Sequence, residues 1–373
     1  MKILHVIPNL IKGGAQRLVI DICNELSKKE SLECKILVLS TSHNEFQYCS
    51  SSLDIIYCNL SFKLSIFKKN QIHIDSYENF ITEFKPDIIH SHLYFSELVC
   101  HENPRSNIKY ISHLHSNRNL FKKKKVFDFF LKKNIYEFFE KKRLLKKYIN
   151  SNKKFISISS DTYEFFSKEM PQNTFDLVSL PNAINLSRFK SLSNPIILNK
   201  IRLITVGALV ANKNQMFLID VVRYIKKNNY NIHLNIIGDG PERKKIQNRI
   251  LELKLTENIK LSGNLDLIED ELKQADFYVH SALHEAFGLV ILEAMASRLA
   301  VVTLNGRGNN DIIDNGINGF ILNEKNFKIY GDIIIKLFSN TSDYKKIVKK
   351  GYESALKYDI TFYVNKLLKI YKS

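Results

Sequence analysis

The stretch HSALHEAFGLVILEAMA, residues 280–296, places two carboxylates, Glu285 and Glu293, on either side of a glycine-containing turn and an apolar run. Glu285 to Gly288 read as the turn, and the residues after it read as a helix. Backbone amides of Phe287, Gly288 and Leu289 would open that helix, where unpaired N–H groups and the helix dipole attract a diphosphate. Glu293, further along, can accept two hydrogen bonds from ribose hydroxyls. Paired carboxylates also serve glycoside hydrolysis, but eight residues at helical rise span about 12 Å. Hydrolytic pairs stand roughly 5 to 9.5 Å apart. The spacing therefore suits holding two ends of one elongated ligand, and the setting gives weight to a pairing that chance supplies often.

Other loops carry compatible residues. Gly207 in VGALVANKNQ and Gly238 in IIGDGPER each follow an apolar run, and Lys213 lies in the first of these loops. A lysine there can meet a phosphate as a mobile point charge. Gly13-Gly14 follows the first apolar run, where bare backbone can approach a phosphate or sugar. The pair reads as readily as a plain turn, because no G-x-G-x-x-G is present. In Ser112-His113-Leu114-His115, two histidines would point to the same face of a strand, so spacing does not choose between them. No Asp-x-Asp pair precedes a strand end, so a metal-free phosphate site is expected. The five cysteines all fall in the first hundred residues without a C-x-x-C pair. They read as buried thiols in a reducing compartment, not as a zinc site or a disulfide framework.

These loops need elements to hold them. Short runs rich in Ile, Leu and Val, such as KILHVI (2–7), CKILVL (34–39), DIIHSH (87–92), RLITVG (202–207) and LAVVTL (299–304), alternate with segments of helical periodicity. Leu18, Val19, Ile22, Cys23 and Leu26 recur at helical spacing between the first two runs. Strand–helix–strand repetition builds parallel sheets covered on both faces, with ligands beyond the carboxyl ends of the strands. The series runs twice, restarting near residue 201, and 373 residues exceed what one core usually serves. The polar stretch 180–200 reads as the linker. Asp359 to Tyr371 reads as a closing helix.

The formal charge is +17, and between Arg118 and Lys154 there are 14 Lys/Arg against 3 acidic residues, a local net of +11. Concentrated charge of this kind points to an anionic partner for one face. Ile135, Phe138, Phe139, Leu145 and Tyr148 approximate one helical face, which suits an amphipathic surface. No window approaches 18 apolar residues, so no membrane span is expected, and the first apolar run stops at Pro8, too short for a signal peptide.

The order GGAQR, HLHS, PNAIN, VG-x-L-x3-K, IGDGPER, HEAFGLVILEAMA and NGINGF, over residues 1 to about 325, resembles the retaining glycosyltransferases of family 4. The resemblance implies an α/β chain of the GT-B fold, two Rossmann-like doubly wound parallel-sheet domains facing a cleft. It implies an acceptor-side domain over 1–183, a nucleotide-sugar domain over 184–358, and a helix over 359–373 that packs back on the first. Carried over by position, it makes Glu293 the ribose ligand and Glu285 the partner of the donor sugar's hydroxyls. Gly288 and Leu289 offer amides to the diphosphate, Lys213 supplies charge, and Gly14 lines the cleft. His115 rather than His113 matches the histidine beside the transferred sugar, as positioner or, near its ordinary pKa, general acid. Ala208 stands where the family usually has Arg, and Arg307 in NGRGNNDII is the substitute cation. Ser297-Arg298-Leu299-Ala300 replaces a stretch that usually contains Gly and Pro.

The expectation is a retaining, metal-independent transferase of a hexose or N-acetylhexosamine. It would use a nucleotide-sugar donor, UDP first, a lipid-linked glycan acceptor, no cofactor and no nucleic acid. It would sit on the cytoplasmic face of the membrane through 118–154, in surface polysaccharide assembly such as O-antigen or capsule. The rivals are a nucleotide-sugar epimerase of the same fold and a basic nucleic-acid-binding protein that stacks bases on the aromatics of 118–154.

Overall fold

The computed structural model describes residues 1–40, 45–58, 60–63, 71–122, 132–149, 153–170, 175–189 and 199–373. The chain divides into two compact units, one of Met1–Asn182 with Ile360–Ser373, the other of Ala183–Asp359.

The first unit contains β1 (Lys2–Ile7), β2 (Glu33–Val38), β3 (Asp54–Tyr57), the short antiparallel pair β4 (Ser61–Lys63) and β5 (Gln71–His73), then β6 (Ile88–His92), β7 (Lys109–Leu114), β8 (Lys153–Ser157) and β9 (Asp176–Ser179). Its main sheet has the parallel order β3-β2-β1-β6-β7-β8-β9. Alternate residues of β1 serve opposite faces. Leu4 and Val6 pack with Leu37, Tyr77 and Ile81, while Ile7 packs with Val19, Ile20 and Ile36. The helix Gly14–Leu26, patterned as its sequence suggests, covers the second face. The closing helix, Ile360–Lys372, lies against that helix and buries Tyr363, Val364, Leu367 and Tyr371.

The second unit contains β10 (Ile201–Val206), β11 (Ile232–Ile237), β12 (Ile259–Gly263), β13 (Phe277–His280), β14 (Ala300–Leu304) and β15 (Phe320–Leu322), in the parallel order β12-β11-β10-β13-β14-β15. Its core runs from Leu203, Leu218 and Val222 through Ile236 and Val302 to Ile334. In both units the strand order reverses beside the first strand, at β1/β6 and at β10/β13. Such switch points open a crevice at the carboxyl ends of the strands.

Two expectations need correction. The stretch 180–200 is no free linker in its described part, because Ile184 and Phe189 are buried in the second unit and Ile184 bridges Asp359. The apolar face read on the basic helix, Lys132–Ile149, is divided rather than continuous. Glu140, Leu144 and Tyr148 point inward while Phe138 and Phe139 stand about two-fifths exposed. The buried set recurs every fourth residue, and a carboxylate occupies one of its places because Tyr94 donates to Glu140 (2.9 Å) and Arg143 pairs with it (2.8 Å).

Candidate functional site

The switch point of the second unit is built by loops that touch backbone to backbone. Gly207 ends β10 and Gly238 ends β11, and a Cβ on Gly238 would lie 2.1 Å from the Gly207 carbonyl oxygen. Gly238 also has φ +133°, a conformation that side chains resist. Its part is therefore to let the Gly207 loop close down. That loop then crosses to the end of β13. Leu283 N donates to Asn212 O (2.8 Å), Asn212 Nδ2 to His284 O (2.8 Å), and Ser281 Oγ to Lys213 O (2.8 Å).

Stitched this way, Lys213 Nζ stands 2.5 Å from Glu285 Oε2, and His280 Nε2 lies 3.1 Å from the same oxygen. His280 is held in turn by Tyr278, whose hydroxyl is 3.3 Å from Nδ1, and by its own amide donating to Tyr330 Oη (3.0 Å). Burial raises the Glu285 carboxyl, but the His280 hydrogen bond and the Lys213 charge outweigh it and leave its pKa at about 2. Glu285 is thus an anion at any physiological pH, able to accept hydrogen bonds but not to give a proton.

A third loop grips the same residue. Glu285 N donates to Gly306 O (2.8 Å) and Gly308 N to Glu285 O (2.9 Å), with Arg307 between them at φ 75°. Arg307 is exposed, and its amide donates to Asn305 Oδ1 (2.9 Å). A Cβ on Gly308 would fall 2.2 Å from Ala286 O, which explains the glycines flanking this arginine.

Gly288 caps the helix Leu289–Ala296 in the left-handed region at φ 104°, with no side-chain cap, so the first amides of the helix are left for another acceptor. Phe287 is buried edge-on against Tyr358. Because the helix starts at Leu289, Glu285 belongs to the loop, and the eight-residue separation is not eight helical rises. Glu293 is buried, with Arg188 Nη1 3.6 Å from its Oε1. Arg188 Nε also donates to Glu269 Oε1 at 2.7 Å. The Tyr278 hydroxyl is pushed well up by burial and by the charges of Glu285 and Glu293.

Sequence reading missed Arg188, His280 and Tyr278. Arg188 is the one charged residue in 180–189, and a lone cation in a neutral stretch was the available signal. His280 and Tyr278 sit on β13, whose four residues are all buried and too few to show a period.

The first unit holds His115 and Gly14. Gly14 is the exposed first residue of its helix. His115 follows β7, its Nε2 3.0 Å from His92 Nδ1 and its ring stacked on His113 with centroids 4.3 Å apart. Burial, then the nearby Arg118 charge, brings its pKa down to about 3. The ordinary histidine pKa on which the general-acid option rested does not hold at this position. His113 is fully buried, with Nε2 3.5 Å from Tyr363 Oη.

Residues 12–188 match the family described as Glycosyltransferase Family 4, and residues 188–354 match Glycosyl transferases group 1. The chain is 27% identical to the poly(glycerol-phosphate) alpha-glucosyltransferase of Bacillus subtilis over 176 residues, 46% of this chain and 26% of that protein. It is 26% identical to the UDP-Gal:alpha-D-GlcNAc-diphosphoundecaprenol alpha-1,3-galactosyltransferase of Escherichia coli over 181 residues, 45% and 47% of the two chains. The alignments span roughly a quarter to a half of the curated relatives' lengths. Among solved structures, HepE of Anabaena in complex with UDP and glucose superposes over all of both chains with TM-score 0.78 at 16% identity.

Proposed function

We propose, on the premise that this chain is a GT-B glycosyltransferase, that it transfers a hexose or N-acetylhexosamine from a nucleoside diphosphate, UDP first, with retention of configuration. The acceptor in this reading is a lipid-linked glycan in surface polysaccharide assembly. The observation that carries it is the Lys213–Glu285–His280 cluster, held at the end of β13 between two glycine-built loops and the open start of the helix Leu289–Ala296.

In this reading the ionised Glu285 accepts hydrogen bonds from the donor sugar's hydroxyls, and Glu293 accepts those of the ribose. The bond from the anomeric carbon to the diphosphate oxygen breaks, and the acceptor hydroxyl attacks on the same face and gives up its proton to the departing diphosphate. Charge develops on the departing diphosphate, so the main catalytic term is its stabilisation by fixed donors. The amides at 287–289, Lys213 and Arg307 supply these, and a bridging Mg²⁺ or Mn²⁺ has no part. His115 remains the positioning candidate of the first unit.

The test is a release assay across UDP-, GDP- and other nucleotide sugars, with and without a polyprenyl-diphosphate glycan, in freshly added EDTA. Expected are nucleotide release from one donor class, stimulation by the acceptor, and product of the donor's anomeric configuration. Inverted product, or activity restored only by added Mg²⁺ or Mn²⁺, would overturn the mechanism.

A further inference from the structure

Four buried histidines of the first unit have no part in the transferase reading. His5 on β1 pairs in register with His90 on β6, and His92 pairs with His113 on β7. Paired residues of parallel strands share a face, and residues two apart repeat it. All four therefore project from one face, with His115 following on, beneath the helices Gly14–Leu26 and Ile360–Lys372. All four are 0% exposed. Four polar rings occupy the middle of a sheet where apolar side chains would pack without a desolvation cost.

Their hydrogen bonds do not close. His5 Nδ1 is 2.9 Å from His92 Nε2, and His92 Nδ1 is 3.0 Å from His115 Nε2. Tyr371 Oη reaches His90 Nδ1 at 2.6 Å and His5 Nε2 at 3.4 Å. His90 Nε2 and His113 Nδ1 have no hydrogen-bond partner. A neutral imidazole carries one N–H and one lone pair, so whichever tautomer His90 takes, one buried group is left over, at a cost of about 1–3 kcal/mol. A cation is the partner that can take lone pairs from several imidazoles together.

We propose that His5, His90 and His92 bind a borderline divalent transition-metal ion of the zinc class. One ring nitrogen from each lies within 4.8 Å of the others. Around a tetrahedral ion with bonds of about 2.0–2.1 Å the nitrogens stand roughly 3.3 Å apart. His5 and His92 are near that separation, and the rest of the adjustment is side-chain rotation. Tyr371 on His90 Nδ1 is the outer hydrogen bond that orients a ligating imidazole and leaves the other nitrogen for the metal. A separate group, His5, Cys23 and Cys34, is equally close and shares His5. Imidazole and thiol select zinc, cobalt, nickel or copper, whereas magnesium and calcium require oxygen. The ion would clamp β1 to β6 under the closing helix.

Protein freed of any affinity tag is stripped with a strong chelator, then titrated with CoCl2 and back-titrated with ZnCl2. One Co²⁺ per chain is expected, with the intense visible absorption of four-coordinate geometry, displaced by one Zn²⁺. His90→Asn and His92→Asn should each weaken Co²⁺ binding at least tenfold, and His233→Asn, on β11 of the other unit, should not. Should those variants fail to fold, X-ray absorption on the zinc-loaded wild-type protein reads the ligands directly. A shell containing at least two imidazoles supports the site. An all-oxygen shell, no stoichiometric binding, or binding unchanged in folded His90 and His92 variants would overturn it.

Discussion

Arg188 and Glu293 make one unit of charge in the second domain, and each is informative about the other. Removing Glu293 takes away an acceptor of donor hydroxyls, and hydrogen bonds to a charged group contribute about 1.5–3 kcal/mol. Glu293→Ala is therefore expected to lower kcat/KM for the donor about 10- to 100-fold with an unchanged circular dichroism spectrum. Normal kinetics in the folded variant would sink the ribose assignment. Arg188→Ala leaves Glu269 and Glu293 buried without their cation, and breaking a buried pair costs about 3–5 kcal/mol. Its thermal midpoint should fall where that of Glu293→Ala does not. In the proposed reading, Lys213 and Arg307 are the cations that face the departing diphosphate. Each Ala variant should cut transfer at least tenfold if the leaving group relies on both, a loss of about 1.4 kcal/mol. An Arg307 variant at full rate would return that side chain to the solvent.

At the scale of an element, the central strands of the first sheet carry a pH dependence. Burial depresses the pKa of His5 to about 3 and pushes those of His90, His92 and His113 well below the ordinary value of 6.5. The unfolded chain binds protons on these rings below about pH 6.5, while the folded chain does not until far lower. Unfolding therefore takes up protons, and stability falls as pH drops from 6.5 toward 3. Each ring contributes up to about 1.4 kcal/mol per pH unit. Glu285 acts in the same direction over a lower window: its stabilisation is intact above 4.5 and is lost progressively as pH falls toward 2. Metal-stripped protein should thus lose thermal stability already between pH 6.5 and 5, with His90→Phe flattening the slope. A flat midpoint over that range would contradict the neutral, buried cluster.

For the whole molecule, the open question is what the basic region meets. Of its 14 cations, Arg118 pairs with Glu97, Arg143 with Glu140, Lys147 with Glu102 and Lys154 with Asp176, and Lys141 donates to the Phe121 and Glu169 carbonyls. Lys122, Lys142 and Lys146 are exposed, as are Phe138 and Phe139, and Lys123–Lys125 lie outside the described residues. No helix among the described residues is long and apolar enough to cross a membrane. Each lysine engaged near an anionic surface contributes about 1 kcal/mol, screened by salt, and the two phenylalanines add an apolar term. Co-sedimentation with phosphatidylglycerol vesicles is expected, lost in high salt, and weakened when Lys122–Lys125 become Gln or Phe138 and Phe139 become Ser. Sedimentation with neutral vesicles to the same extent, or RNA binding in its place, would end the docking reading.

Local pattern determined much of this protein. Short continuous apolar runs, with helical periodicity between them, specify parallel strands and their covering helices, because burial on both faces leaves no polar alternation along the strands. The glycines at 207, 238 and 288 could be read too, since each marks a loop at a strand end. Tertiary structure alone decided the rest. Arg188 meets Glu269 and Glu293 only once the chain has doubled back through β10 to β13, and Lys213, Gly306 and Gly308 reach Glu285 from loops some 20 to 70 residues away. The histidine cluster joins β1 and β6 across some 85 residues, and cysteine spacing, which is local, pointed away from any metal. Even the buried side of the basic helix depended on which neighbour offered Tyr94 to Glu140. Periodicity records which face of an element is buried; it carries no record of which other element lies against that face.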